Sequence, residues 1–302
     1  MSGRQTLRVA TAQYPIDQLS TVDTARDKIA RWVGEAASQR AELLVFPEYG
    51  AMELSAIRGL QVAGDVGASL AAVSDMLGEM DVLHAELARQ HGVHILAASG
   101  PSRGAGGRFG NAARLVTPMG RIGTQEKLIM TPFEREWGIM GGQRQRVFDT
   151  SLGRIGIAIC YDSEFPLLVR AQAEAGADLI LIPSCTERVS GAHRVRTAAL
   201  ARALENGCVT VVSPTVGDAP WCLTVDHNEG IGGIYLPAEA GVSETGILAE
   251  GRLSEPGWVF ADIDLGALRD LRATGEMRNF SDWSAQPGAA PLAHHVEVVS
   301  LT

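Results

Sequence analysis

Apolar and polar positions along the chain follow two spacings, one typical of amphipathic helices and one typical of buried strands. Residues 21–40 repeat apolar side chains such as Ile29, Trp32 and Val33 on one helical face, and residues 70–92 predict a second long amphipathic helix. Short apolar runs separate these helices and predict buried strands. In the first half of the chain these are "LRVATAQYP", "AELLVFPEYG" and "HILAASG".

The second half of the chain continues the same alternation. Two runs around "TPMG", residues 111–116 and 121–128, predict an antiparallel hairpin. Helices are predicted near 165–175 and over 194–206, where Asn206-Gly207 is a helix stop. Further strands are predicted for "RIGIAIC", "DLILIP", "CVTVVSPTVG", "GIGGIYLP" and "GWVFADIDL". The pattern therefore predicts an α/β fold in which helices cover mixed sheets.

Composition narrows the functional class. The 302 residues are 46% hydrophobic, the net charge is −9, and no basic stripe is interleaved with aromatic residues, which argues against nucleic-acid binding. No apolar run is long enough to span a bilayer, and the N-terminus lacks a signal-peptide pattern, so we expect a cytoplasmic protein without membrane contact. His91 and His94 have no nearby residues that would complete a metal site. We predict no metal and no cofactor, and four free cysteines.

One of these cysteines lies at a position where it could act as a nucleophile. In "RIGIAICYDSEFP", residues 154–166, Cys160 ends a predicted strand and precedes a polar turn. A thiol attacks as its thiolate and needs a base. His193 is the nearest downstream histidine but has no recognisable partner, whereas Glu48 also follows a predicted strand. Taken singly, a cysteine or glutamate at a strand end is as well explained by packing or by a solvated loop.

Three segments together resemble the signatures of the nitrilase, or carbon–nitrogen hydrolase, superfamily. They are "FPEYG", "EKLIMTPFERE" and "GIAICYDSEFP", in this order, and the similarity covers most of residues 7–283. The chain is most similar to the amidase-like and uncharacterised members. The resemblance implies an α-β-β-α sandwich of two mixed β-sheets, formed by a single domain over residues 1–283.

The resemblance also implies a role for each site residue. Glu48 would be the general base, Cys160 the nucleophile that forms a thioester, and Lys127 the oxyanion donor together with the backbone N–H of Tyr161. Glu134 matches a second family glutamate that holds Lys127 and the substrate. The implied activity is hydrolysis of a small or medium linear carboxamide. A nitrilase, an N-carbamoyl amidase, an acyl transferase and a catalytically idle binding protein remain alternatives.

Substrate contacts are predicted on loops near the strand ends. The candidate residues are Tyr49, Phe133, Trp137, Glu164, Cys185, Thr186, Glu187, His193 and Trp221. Because Glu164 and Glu187 are acidic, we expect uncharged or amine-bearing amides to be preferred over anionic ones.

Assembly is the last expectation from sequence. The resemblance implies a homodimer or higher homo-oligomer, paired through helices near the active site. Residues 284–302 form a tail with little core pattern, which we expect at the subunit interface or loosely held.

Overall fold

The computed structural model describes residues 6–240, 242–292 and 295–302. The strands are β1 Thr6–Pro15, β2 Leu43–Val45, β3 His94–Arg103, β4 Phe109–Val116, β5 Ile122–Glu126, β6 Gln145–Thr150, β7 Gly153–Ile157, β8 Leu179–Ser184, β9 Val209–Asp218, β10 His227–Asn228, β11 Gly233–Tyr235, β12 Ile247–Glu250, β13 Gly257–Asp264 and β14 Val296–Ser300. The α-helices are α1 Val22–Ser38, α2 Leu60–Ala63, α3 Val66–His91, α4 Pro132–Glu136, α5 Pro166–Glu174, α6 Val189–Asn206 and α7 Leu265–Thr274. Short 3-10 helices cover Gly50–Arg58, Ala105–Gly107, Cys160–Glu164 and Ser281–Ala285.

The strands form two mixed sheets that are joined at one seam. The first contains β13, β1, β2, β3, β4 and β5, with β1, β2 and β3 parallel and the others antiparallel to their neighbours. The second runs β14, β6, β7, β8, β9, β11 and β12. The ends of β1 and β9 pair in parallel and connect the two halves. Two mixed sheets with helices on them confirm the predicted fold class.

Two apolar clusters hold the layers together. One joins side chains of both sheets, including Val9, Leu43, Ile155 and Leu179, with the inner face of α6. The other packs α1 and α3 on the first sheet, where Trp32 contacts Tyr14 edge-on. Burial of this much apolar surface is the dominant favourable term in folding. None of the helices in the described parts of the chain is both long and apolar enough to cross a membrane.

Several boundaries differ from the sequence-based prediction. The predicted strand before the cysteine ends at Ile157, and Cys160 opens a 3-10 helix instead. Helix α6 begins five residues earlier than predicted, at Val189. The 3-10 helix Gly50–Arg58 and the short α4 were not expected, because neither has the length for a periodic apolar face.

The tail is partly ordered on its own chain. Residues Val296–Ser300 form β14, which pairs in parallel with β6 at the edge of the second sheet. Arg146 of β6 reinforces this pairing through an ion pair with Glu297 at 3.0 Å. This part of the tail therefore belongs to the sheet, and the expectation of a loosely held tail does not describe it. Its place at a subunit interface stays a prediction.

Strand ends decide where the polar residues meet. Strands β2 and β7 belong to different sheets, and Glu48 and Cys160 each follow three residues after the end of their strand. Side chains beyond the carboxyl ends of parallel strands commonly face one crevice.

Candidate active site

Cys160 stands at a sharp turn between β7 and the 3-10 helix Cys160–Glu164. Its φ of 47° lies in the left-handed region, which is uncommon for a residue with a side chain. The turn is held by the Ser163 hydroxyl, which donates to the carbonyl of Cys160 at 2.6 Å. The thiol is buried and donates to the carbonyl of Cys185 at 3.7 Å. The backbone thus holds the Cys160 thiol at the end of the sheet.

A buried ammonium group joins two carboxylates beside this thiol. Lys127 Nζ lies 2.7 Å from Glu48 Oε1 and 2.7 Å from Glu134 Oε2. All three side chains are at most 3% exposed, so solvent screens these contacts little. The structure therefore brings together four of the residues that the sequence predicts, Glu48, Lys127, Glu134 and Cys160.

Neutral donors complete the shell around the two carboxylates. Asn111 Nδ2 donates to Glu48 Oε1 at 2.9 Å, and the backbone N–H of Cys185 donates to Glu48 Oε2 at 3.0 Å. The Tyr49 hydroxyl donates to Glu134 Oε1 at 2.9 Å. Each oxygen of Glu48 therefore has at least one donor, as a buried carboxylate requires.

These surroundings shift the protonation equilibria of the cluster. Burial raises the pKa of Glu48 to about 7; Lys127 opposes this shift and the charge of Glu134 adds to it. Burial, and then the charge of Glu48, raise the pKa of the Cys160 thiol. For Lys127, burial alone would lower the pKa, but Glu48 and Glu134 outweigh it and raise it. At neutral pH Lys127 is protonated and Cys160 is a thiol, while Glu48 is near the midpoint of its titration and can both accept and donate a proton.

Two local motifs fix the segment that carries Lys127 and Glu134. The carboxylate of Asp162 accepts the backbone N–H groups of Leu128 and Ile129, at 3.0 and 2.8 Å, and so ties this segment to the turn at Cys160. Helix α4 begins with a capping box, in which Thr131 accepts the N–H of Glu134 and the Glu134 carboxylate accepts the N–H of Thr131. Glu134 is therefore held by its own helix start as well as by Lys127.

The cluster lies at the floor of an open pocket of about 650 Å³. Tyr161 lines it directly after Cys160, at the start of a helical turn, where the first N–H groups have no partner within the turn. Of the predicted substrate-contacting residues, the following line it: Tyr49, Phe133, Trp137, Glu164, Cys185, Thr186 and Glu187.

Two predicted contacts lie outside this lining. His193 is exposed on α6 and lines a neighbouring surface groove, which shares Ser190 and Arg194 with the pocket. Trp221 is half-buried against the apolar cluster on the first sheet. Substrate contact by either side chain stays a prediction.

Comparison with known proteins agrees with this arrangement. The family model for carbon–nitrogen hydrolases matches residues 8–273. The chain belongs to the carbon–nitrogen hydrolase family. The three segments that resemble this superfamily thus all lie within the matched residues.

Relatives of this carbon–nitrogen hydrolase have several activities. The probable hydrolase YhcX of Bacillus subtilis is 34% identical over 91% of this chain, and the chain spans 53% of that protein's length. Nitrilase 1 of Arabidopsis thaliana is 28% identical, over 85% of this chain and 80% of its own length. The omega-amidase NIT2 of Danio rerio is 25% identical, over 88% and 91%.

Solved structures share the fold. A carbon–nitrogen hydrolase from Helicobacter pylori G27 has a TM-score of 0.72 at 18% identity, covering 89% of this chain and 93% of its own. A mutant amidase from Nesterenkonia sp. AN1, which carries acrylamide added at its active-site cysteine, has a TM-score of 0.65 at 25% identity, covering 88% and 97%.

Charges at the mouth of the hydrolase pocket are largely balanced. Glu164 is paired with Arg194, whose Nε lies 3.2 Å from Oε1. Glu187 and Arg188 line the pocket side by side, and both are exposed. His227, also in the lining, lies 3.0 Å from Asp218. The acidic rim expected from sequence is therefore offset by arginine residues.

Sequence reasoning missed Asn111 and the main chain of Cys185. Asn111 lies inside a predicted hairpin strand, 63 residues from Glu48, and no local pattern marks it. A polar side chain in the buried register of a strand was the available signal, because burial of an amide requires partners. The contribution of Cys185 comes from its peptide group, which the side-chain pattern does not reveal.

Proposed function

We propose that this protein is an amidase that cleaves the C–N bond of a small or medium linear carboxamide through a thioester on Cys160. The observation that carries the proposal is the Lys127 ammonium group bound to both Glu48 and Glu134 beside a buried thiol in an open pocket. Such a cluster supplies a base, a nucleophile and a cationic donor within one water-poor site.

The reaction would start with proton transfer from Cys160 to Glu48. The sulfur attacks the amide carbon, and the oxyanion that forms is stabilised by Lys127 and the N–H of Tyr161. Collapse breaks the C–N bond while Glu48 returns the proton to the departing nitrogen, so ammonia or an amine leaves and an acyl thioester remains. Water then gives a proton to Glu48, attacks the thioester and releases the acid. The thiol regains its proton, and the cycle closes.

Nitrile hydrolysis is the second candidate, because nitrilases of Arabidopsis are among the relatives. The same thiol would add to a nitrile carbon, and two waters would be consumed for each acid and ammonia formed. An amidase is favoured by the likeness to the Nesterenkonia amidase, which shares 25% identity and a TM-score of 0.65 with this chain.

The pocket walls favour an uncharged substrate. Glu164 is paired with Arg194, and Arg188 stands beside Glu187, so the rim offers neither sign of charge in excess. Phe133 and Trp137 supply an apolar part of the pocket wall. We therefore retain the expectation of neutral amides on the strength of this wall, while the argument for amine-bearing amides is weaker than the sequence suggested.

A substrate panel tests the proposal. Ammonia release is compared for a neutral aliphatic amide, an amino-acid amide, a 2-oxo-acid ω-amide, a carbamoyl compound and the matching nitrile, with intact-protein mass spectrometry to detect an acyl adduct. We expect the neutral amide to have the highest specificity constant and the adduct to lie on Cys160. A clear preference for the nitrile would show that the protein is a nitrilase and not an amidase. A preference for the ω-amide would refute the expectation that the substrate is uncharged.

A further inference from the structure

The side chain of Asn111 contacts both carboxylates of the buried cluster. It lies on β4 and is 0% exposed. Its Nδ2 lies 2.9 Å from Glu48 Oε1 and 3.5 Å from Glu134 Oε1. Its Oδ1 accepts from the Ser99 hydroxyl at 2.7 Å, which fixes the amide so that its N–H groups face the carboxylates.

Ser99 connects this amide to the turn that carries Glu48. The backbone N–H of Tyr49 donates to Ser99 Oγ at 3.0 Å. Tyr49 has a φ of 53°, so the chain passes through the left-handed region directly after Glu48. Strained backbone of this kind persists only where its surroundings hold it, and the Ser99–Asn111 pair provides such a hold from β3 and β4.

The three donors to Glu48 differ in their charge and in whether they belong to a side chain or to the backbone. Lys127 brings a full charge, and the N–H of Cys185 belongs to the backbone. Asn111 is a neutral side-chain donor to the same oxygen as Lys127. It therefore restricts the carboxylate without adding a second cation, which would make Glu48 a weaker base.

We propose that Asn111 is a positioning residue that, together with Ser99, holds Glu48 in the orientation from which it takes the proton of Cys160. The inference rests on the proposed function, in which Glu48 is the base. Asn111 would thus affect catalysis only through Glu48, without contacting the substrate itself.

Alkylation of Cys160 tests this without any knowledge of the physiological substrate. The rate of modification by iodoacetamide, a small haloamide, is measured against pH by peptide mass spectrometry for the full chain. Asn111→Asp removes the donor and adds a carboxylate beside Glu48, so the midpoint of the pH profile should rise by about one unit or more. Asn111→Ala should lower the plateau rate about tenfold, with a smaller rise of the midpoint. Ser99→Ala keeps the donor and should lower the plateau without moving the midpoint.

Two reference variants separate the possible outcomes. Asn206→Asp changes another fully buried asparagine, whose Nδ2 donates to the Arg202 carbonyl in α6, and should leave the midpoint where it is in the wild type. Glu48→Gln should remove the rise of the rate near pH 7 and leave the rise at higher pH that ionisation of the thiol itself produces. If it does so while Asn111→Ala and Asn111→Asp keep the wild-type profile, the role of Asn111 is refuted and the proposed function stands. If Glu48→Gln has no effect, the base itself is misassigned and both proposals fail.

Discussion

Four cysteines offer a direct comparison at the scale of single residues. Cys160 is the thiol beside Glu48 and Lys127, whereas Cys208 and Cys222 are buried in apolar clusters. Cys185 lines the pocket, but its thiol points to Asn228 Oδ1 at 3.4 Å. We expect Cys160→Ala to abolish turnover, while Cys185→Ala, Cys208→Ala and Cys222→Ala keep most of it. Turnover of a neutral amide measures this, and an acyl adduct on Cys185 would overturn the assignment.

The protonation of Glu48 predicts a pH profile. Burial raises its pKa to about 7, and only the ionised carboxylate can act as a base. The specificity constant should therefore rise with pH up to about 7 and fall about tenfold per unit below it. Glu48→Gln should lower turnover by about 10²–10⁴-fold at every pH. Glu187→Gln, at the exposed rim, is the control and should leave the midpoint unchanged; a profile flat between pH 5 and 8 in the wild type would contradict the assigned base.

At the scale of elements, the start of α4 links helix stability to the site. Thr131 and Glu134 form its capping box, and Glu134 also holds Lys127. Thr131→Ala should cost about 1 kcal/mol of unfolding free energy and lower turnover, since Glu134 loses a donor. Thr21→Ala removes a similar capping box at α1, remote from the pocket, and should cost a comparable stability with no change in turnover. Urea unfolding and kinetics on both variants check this; equal turnover in the two would show that the cap has no functional role.

The elements also show how far sequence reasoning reaches. Strands with a clear apolar run, such as β8, and the hairpin of β4 and β5 are predicted because their pattern is local. The convergence of Glu48, Lys127, Glu134 and Cys160 is not a local pattern. Strand ends indicate only that Glu48 and Cys160 can face one crevice, and the family resemblance of the three segments implies the full set. Helix α4 carries a recognisable signal, Thr-Pro followed by Glu134, which periodicity alone overlooks. Asn111 offers only an amide in the buried register of a strand, and its partners are set by tertiary packing.

At the scale of the whole molecule, the exposed helices near the pocket predict assembly. Leu167 of α5 and Val189 and Leu204 of α6 are 56%, 43% and 42% exposed, so a contact through these helices would bury apolar side chains. As the family resemblance implies, we expect pairing through this layer. Light scattering should give at least twice the 32.0 kDa chain mass at micromolar concentration.

A pair of charge variants tests which surface is used. Leu204→Asp should lower the measured mass toward that of one chain, because a carboxylate would be buried in the contact. Met119→Asp, at the tip of the β4–β5 hairpin and 76% exposed, is the matched control and should leave the mass unchanged. A single-chain mass for the unmodified protein would refute the assembly.

The peptide group of Cys185 meets both the base and the nucleophile, while its side chain contributes to the pocket wall. Amino-acid replacement changes side chains and keeps peptide groups. The reaction is therefore insulated from mutation at this position, whereas the shape offered to a substrate is not. Substitutions in the loop from residue 185 to the start of α6 should therefore change substrate specificity, in nature or by directed evolution, with the least loss of activity. Libraries randomised there should yield altered specificity with a smaller share of inactive variants than libraries at residues 48–49 or 160–162.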